Sequence, residues 1–246
     1  MTTMPTILLL PGLAADAAMW AAQRSALAAT REVHVTDVHF RFETLPEMAR
    51  ALLAEHDGGL VLCGASMGGI LAFEVLRQAA QRVQGLALLG TTARPDSPEI
   101  AALRANAFAM IEAGRYEEMI ALNVPFSFHP QRLDDRDLVD AYFDMLRRAG
   151  AAQLVRQNVA TAARPDSRPL LATLRCPTLV MCGDADAVTT VAASLEIAER
   201  VPGAELVLIE RCGHMLTMER PHEVNAALAR WLEQHFPTGH VAPAGA

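Results

Sequence analysis

The stretch that decides the fold is Gly64-Ala65-Ser66-Met67-Gly68-Gly69. It follows the apolar run Leu60-Val61-Leu62-Cys63 and opens a helix-length segment ending near Ala79. A G-x-S-x-G sequence between a strand and a helix is a nucleophile elbow, in which flanking glycines permit a sharp turn that leaves the serine exposed and strained. A glycine-rich turn that merely packs a helix on a strand shares the bare pattern, but the strand-turn-helix context favours the elbow. Ser66 is the candidate nucleophile. The helix after it directs its N-terminus and the Met67 N–H toward the same spot, where an oxyanion would be stabilised.

A serine hydroxyl needs a base, and the chain offers eight histidines. His214, in Glu210-Arg211-Cys212-Gly213-His214, directly follows the last apolar run, so its loop reaches the carboxyl end of the sheet. His34, His39, His56, His222, His235 and His240 read as surface or capping residues, and His129 as a loop residue. The base in turn needs a carboxylate, and Gly183-Asp184-Ala185-Asp186 follows the preceding strand. Asp186 is preferred, because Asp184 sits in the turn and is placed to bond backbone N–H groups. The end of the run 86–89 holds Gly90 and Thr91 instead of an acid. The order Ser, Asp, His belongs to one hydrolase architecture. A second oxyanion donor is expected after the first strand, in Leu10-Pro11-Gly12-Leu13: Pro11 has no N–H, Gly12 allows close approach, and Leu13 N–H is the candidate.

Outward from these motifs, short aliphatic runs alternate with amphipathic stretches, the pattern of an α/β fold with a mostly parallel sheet covered by helices on both faces. Strands are expected at 6–10, 32–38, 60–63, 86–89, 178–182 and 205–209, and helices near 17–28, 44–55, 67–79, 191–200 and 221–235. Between residues 91 and 175 no strand pattern appears. Four helices, at 98–113, 116–122, 136–148 and 152–162, would form a cap. The expected organisation is therefore a core of 1–90 and 176–236, a helical insertion at 91–175 and a loose tail at 237–246. The insertion is edged by two copies of one pentapeptide, Ala93-Arg94-Pro95-Asp96-Ser97 and Ala163-Arg164-Pro165-Asp166-Ser167, each expected to mark a chain reversal.

Composition agrees with an ordinary globular protein. The chain has 246 residues, 52% hydrophobic and 20% charged, enough for a sizeable core. A net charge of -7, with Arg mixed among Asp and Glu, argues against nucleic-acid binding. The four cysteines are isolated, lacking the spacing of a zinc site or disulfide framework, which fits a reducing cytoplasm. No basic leader is evident, and no apolar run approaches the ~20 residues of a membrane span.

Taken together, Leu10-Pro11-Gly12-Leu13 with Trp20, Gly64 to Gly69, Gly183 to Asp186, and Cys212-Gly213-His214 followed by Glu219 and Pro221 resemble the α/β-hydrolase superfamily over nearly the whole chain. They are most similar to its capped, cofactor-free serine hydrolases, such as pimeloyl-carrier-protein methyl ester esterases and 3-oxoadipate enol-lactonases. The resemblance implies acyl transfer by Ser66, His214 and Asp186, no metal or organic cofactor, and a sheet trimmed to about six strands. Pro11 and Ala65 stand where many relatives carry histidine, so contacts made by those histidines do not transfer. The expected substrate is a small to medium, largely apolar ester, free or carrier-linked, and the aromatic candidates for its pocket are Phe126, Phe128, Tyr142 and Phe143. Arg147, Arg148, Arg156, Arg164 and Arg168 read as a solvated helix face rather than an anion patch. Lactone opening, C–C hydrolysis, acyl transfer to an alcohol, or ligand binding with negligible turnover would use the same residues. Haloalkane dehalogenation would need a carboxylate at position 66.

Overall fold

A computed structural model describes residues 4–238. Most of the tail expected at 237–246, together with His240, lies outside the described residues.

Six strands, β1 (Thr6–Leu10), β2 (Val33–Val35), β3 (Leu60–Ala65), β4 (Val83–Leu89), β5 (Thr178–Gly183) and β6 (Glu205–Ile209), form one sheet in the order β2-β1-β3-β4-β5-β6. Every pairing is parallel. The central strands are apolar on both faces, and β3 and β5 are buried along their full length, as expected where helices cover each side. Alternate residues feed two separate cores. Ile7, Leu9, Val61, Cys63 and Met181 face one side with Trp20 and Trp231; Leu8, Leu10, Leu62, Leu88 and Val180 face the other with Leu52 and Phe73. The edge strands are half-exposed, and β2 is only three residues long, which limits the edge open to pairing.

The expected strand 32–38 is a correction. It ends at Val35, and Val38–Arg41 is a short helix. Thr36 N–H still reaches Leu9 O, but its hydroxyl then accepts from Val38 N–H and the chain turns. The same turn buries His39, expected at the surface: its ring is 1% exposed and its Nε2 lies 2.7 Å from Ala15 O.

Between β4 and β5 the chain is helical, with Pro98–Glu112, Tyr116–Ser127, Arg136–Ala162 and Arg168–Leu171. The helix expected to stop at 122 runs on past Pro125 to Ser127. The two helices expected at 136–148 and 152–162 run on from one another except at Gly150, whose φ of 78° is open to glycine and costly for other residues. The matched pentapeptides meet in space: Ser167 N–H donates to Ala93 O, Arg164 Nε–H to Arg94 O, and Arg164 pairs with Asp96 at 2.5 Å. They tie together the two ends of the helical segment. No described helix is long and apolar enough to cross a membrane.

Candidate active site

The turn at the end of β3 holds Ser66 at φ 52° and ψ -116°, a conformation strained for a non-glycine residue. Neighbouring glycines make it possible. A Cβ on Gly68 would fall 2.0 Å from Leu10 O, and one on Gly64 2.5 Å from the Gly68 carbonyl carbon. Ser66 N–H donates to Leu89 O and its carbonyl accepts from Thr91 Oγ1, which fastens the turn to the end of β4.

The structure brings Ser66, His214 and Asp186 into one line. Ser66 Oγ is 3.0 Å from His214 Nε2, and His214 Nδ1 is 2.9 Å from Asp186 Oδ2. With Nδ1–H donated to the carboxylate, Nε2 is left to accept the serine proton. Asp186 is almost wholly buried; its Oδ1 accepts from Val188 and Thr189 N–H, both at 2.8 Å, and its Oδ2 from Thr189 Oγ1 at 3.0 Å. Burial alone would raise the Asp186 carboxyl, but His214 and these N–H donors outweigh it and hold it below the usual value. Asp184 serves elsewhere: its Oδ1 accepts from Cys212 N–H, pinning the loop that carries His214. Gly90, at φ 50°, passes so close that a Cβ there would sit 3.2 Å from Asp186 Oδ2.

The loop after β1 packs against Ser66, with a Cβ built on Gly12 falling 3.4 Å from Ser66 Cβ. Leu13 and Met67 both line the cavity above the serine. Among the described residues neither N–H is taken up by an acceptor of the chain. Three residues support the site in roles that the sequence does not assign to them. Gln157, fully buried on the helix Arg136–Ala162, accepts from Ala14 N–H at 2.6 Å and donates to His39 O at 3.0 Å. Glu219 accepts from Gly213 and His129 N–H, holding the His214 loop from behind, and burial pushes its carboxyl up despite those donors. Thr189 orients Asp186. An Asp followed three residues later by Thr is a local turn signal that could have found it. Gln157 lies 143 residues from Ala14 and left none.

The cavity holds about 550 Å³ and reaches from Ser66 and His214 up between the helices that follow β4. Phe126 and Tyr142 stand on its wall, whereas Phe128 and Phe143 do not. Phe128 is 1% exposed, stacked edge-on to Tyr142 and lying over Gly213, where a Cβ would touch its backbone. Phe143 lies under the guanidinium of Arg147. His129 accepts from Gln131 N–H and caps a turn. The arginines expected on a solvated face are engaged: Arg147 with Glu117, Arg148 with Asp16, Arg168 with Asp166, and Arg156 with Phe40 O. Arg164 is the exception to that reading, being buried on the cavity wall. Among the described residues no group of His, Cys, Asp and Glu is arranged to hold a metal ion.

Residues 7–227 match the alpha/beta hydrolase family. Among curated proteins the chain is 26% identical over 246 residues to the dihydrolipoyllysine-residue acetyltransferase component of the acetoin cleaving system of Pseudomonas putida, covering 93% of this chain and 64% of that one. It therefore spans less than two thirds of that relative's length. It is 28% identical over 197 residues to the pimeloyl-[acyl-carrier protein] methyl ester esterase of Aromatoleum aromaticum, covering 74% and 78% of the two chains. Among solved structures, a malate-bound thermophilic esterase from Thermogutta terrifontis superposes with a TM-score of 0.83 at 31% identity, over 96% of this chain and 91% of that one. The all-parallel sheet, the helices on its two faces and these matches together make the chain a member of the alpha/beta hydrolase family.

Proposed function

We propose that the chain is a serine hydrolase that cleaves a carboxylic ester of a small to medium, largely apolar substrate through an acyl-enzyme intermediate. The observation that carries this reading is the unbroken line from Ser66 Oγ through His214 to Asp186 at the floor of a mostly apolar cavity. His214 Nε2 takes the serine proton as Oγ attacks the ester carbonyl, and Asp186 stabilises the imidazolium that forms. The developing oxyanion is received by Leu13 and Met67 N–H, donors with no acceptor to give up. His214 then protonates the departing alcohol. In the second half-reaction it removes a proton from water, which releases the acid and restores Ser66. These steps are completed by side chains and backbone alone. Residues 1–90 and 176–236 act as the catalytic core and 91–175 as a helical cap that walls the substrate, which is either free or carrier-linked.

Hydrolysis of p-nitrophenyl esters of increasing chain length by wild type and Ser66→Ala tests the reading. Loss of Ser66 or His214 is expected to lower kcat by about a million-fold and Asp186→Asn by about ten thousand-fold, with the fold intact. Wild type that neither turns over any ester nor is labelled at Ser66 by a fluorophosphonate would overturn it.

A further inference from the structure

The cavity above Ser66 is charged in the opposite sense to the chain. The molecule has a formal net charge of -7, yet the ionised side chains on the cavity wall are Arg94, Arg104 and Arg164, with no carboxylate among the described residues that line it. Arg94 is more than half exposed and pairs with Glu196 at 2.6 Å, a carboxylate that also takes Arg200 at 3.4 Å. The other two share one acid. Asp96, behind the wall, accepts from Arg104 Nε–H at 2.6 Å and is ion-paired with Arg164 Nη1 at 2.5 Å. The Asp96–Arg164 pair has a structural reason, since it ties the matched pentapeptides together. Arg104 stands outside that tie: its Nε–H and Nη2–H both donate to Asp96, and its Nη1–H goes to the neutral Asn158.

The side chains of Arg164, Asp96 and Arg104 are only 6%, 9% and 18% exposed. Among the described residues Arg164 Nη2 has no partner in the chain, although its Nε and Nη1 are both engaged. Two guanidiniums on one carboxylate leave one positive charge in excess, withdrawn from water, in a cavity that is otherwise mostly apolar. Such a charge is costly to leave uncompensated and is relieved by a single anion. The forked geometry of arginine suits a carboxylate. A phosphate monoester, which is close to a dianion at neutral pH, would exceed the available charge.

We propose that the preferred substrates are monoanionic esters, in which a carboxylate other than the ester being cut is held by Arg104 and Arg164, as in the half-esters of straight-chain diacids. This rests on the esterase reading above and deepens it. The test compares kcat/KM for the monomethyl and dimethyl esters of the same diacids, from succinate to suberate, with wild type, Arg104→Gln and Arg104→Lys. Wild type is expected to favour one half-ester over its diester by about tenfold or more, the margin of a charge-assisted hydrogen bond. The Gln variant should lose most of that ratio and Lys should keep part of it. Equal or better use of the diester by wild type across the series overturns the proposal, and that outcome does not depend on whether a variant folds. Binding of the same ligands to Ser66→Ala, followed by calorimetry, separates the two readings. Selection of the half-ester without turnover in wild type leaves the anion site standing and sinks the esterase reading, whereas turnover without selection does the reverse.

Discussion

At Ser66 a single atom's usefulness depends on neighbours that never touch substrate. Ser66 Oγ is placed by a strained backbone, His214 by a loop that Glu219 and Asp184 hold from two sides, and Asp186 by the Thr189 turn. The Leu13 N–H depends on Gln157, which grips the next residue, Ala14, at φ 54°. Gln157→Leu removes that acceptor and leaves Ala14 N–H buried without one. Loss of a whole oxyanion donor costs about a hundredfold to a thousandfold in kcat, so partial loss of Leu13 placement should lower kcat by about tenfold with little change in KM. Steady-state kinetics on the best nitrophenyl ester checks this; an equal fall through KM alone would mean that Gln157 only shapes the cavity.

Asp186 also carries a prediction about pH. Its carboxyl is held below the usual value in the folded chain, so the unfolded chain binds the proton more tightly. The stabilisation is complete above the unfolded value of about 4 and is lost as pH falls through the lower folded value. Urea unfolding followed from about pH 7 down past the unfolded value of about 4 should show a steeper acid loss for wild type than for Asp186→Asn. Parallel curves would mean that the carboxylate is not held in this way.

At the scale of elements, the helices Met67–Ala79, Val191–Arg200 and Pro221–His235 and the strands Thr6–Leu10 and Glu205–Ile209 end where the sequence pattern says they should. Their boundaries are set by local chemistry: an elbow, a Pro at the start, an apolar run that stops. The elements misjudged are those whose ends depend on distant partners. Val38–Arg41 turns from strand to helix because His39 docks on Ala15, and Phe128 leaves the pocket because Gly213 has room beneath it. At the junction of β1, β3 and the following helix, Gly68 has less room for a side chain than Gly64 or Gly183, the other tightly packed glycines beside the site. Gly68→Ala would force its Cβ to within 2.0 Å of Leu10 O, so the helix must retreat from the sheet. We expect a loss of at least about 3 kcal/mol, of the order of severe overpacking, measured by chemical denaturation, and a drop in activity because Ser66 moves with the helix. A near-normal unfolding midpoint would show that the contact relaxes cheaply.

Across the whole molecule, burial decides what each titratable group can do. Cys63 and Cys182 lie in central strands where desolvation pushes their thiols up to about 12; Cys212 is raised in the same way, and Cys176 is half-buried. All four are unpaired as disulfides. Native protein should therefore expose at most one thiol, Cys176, to Ellman's reagent, and unfolded protein all four, because the thiolate is the reactive form. Rapid titration of two or more in the native state would contradict the packing of β3 and β5.

By itself the sequence determined the α/β class, the six strands and the helical run between β4 and β5. It also marked Ser66, His214 and Asp186 as the candidates for chemistry. These are local matters: apolar runs of strand length, glycines around one serine, and a histidine and an acid placed just after strands, whose carboxyl ends a parallel sheet gathers on one side. Tertiary structure alone decided the rest. It set Gln157 on the Leu13 loop, Glu219 behind His214, Phe128 in the core rather than the pocket, and Arg104 and Arg164 around one Asp96. The physical reason is that a side chain's role depends on the solvent it loses and the partner it meets. Both are set by residues far away in the chain, which no spacing records.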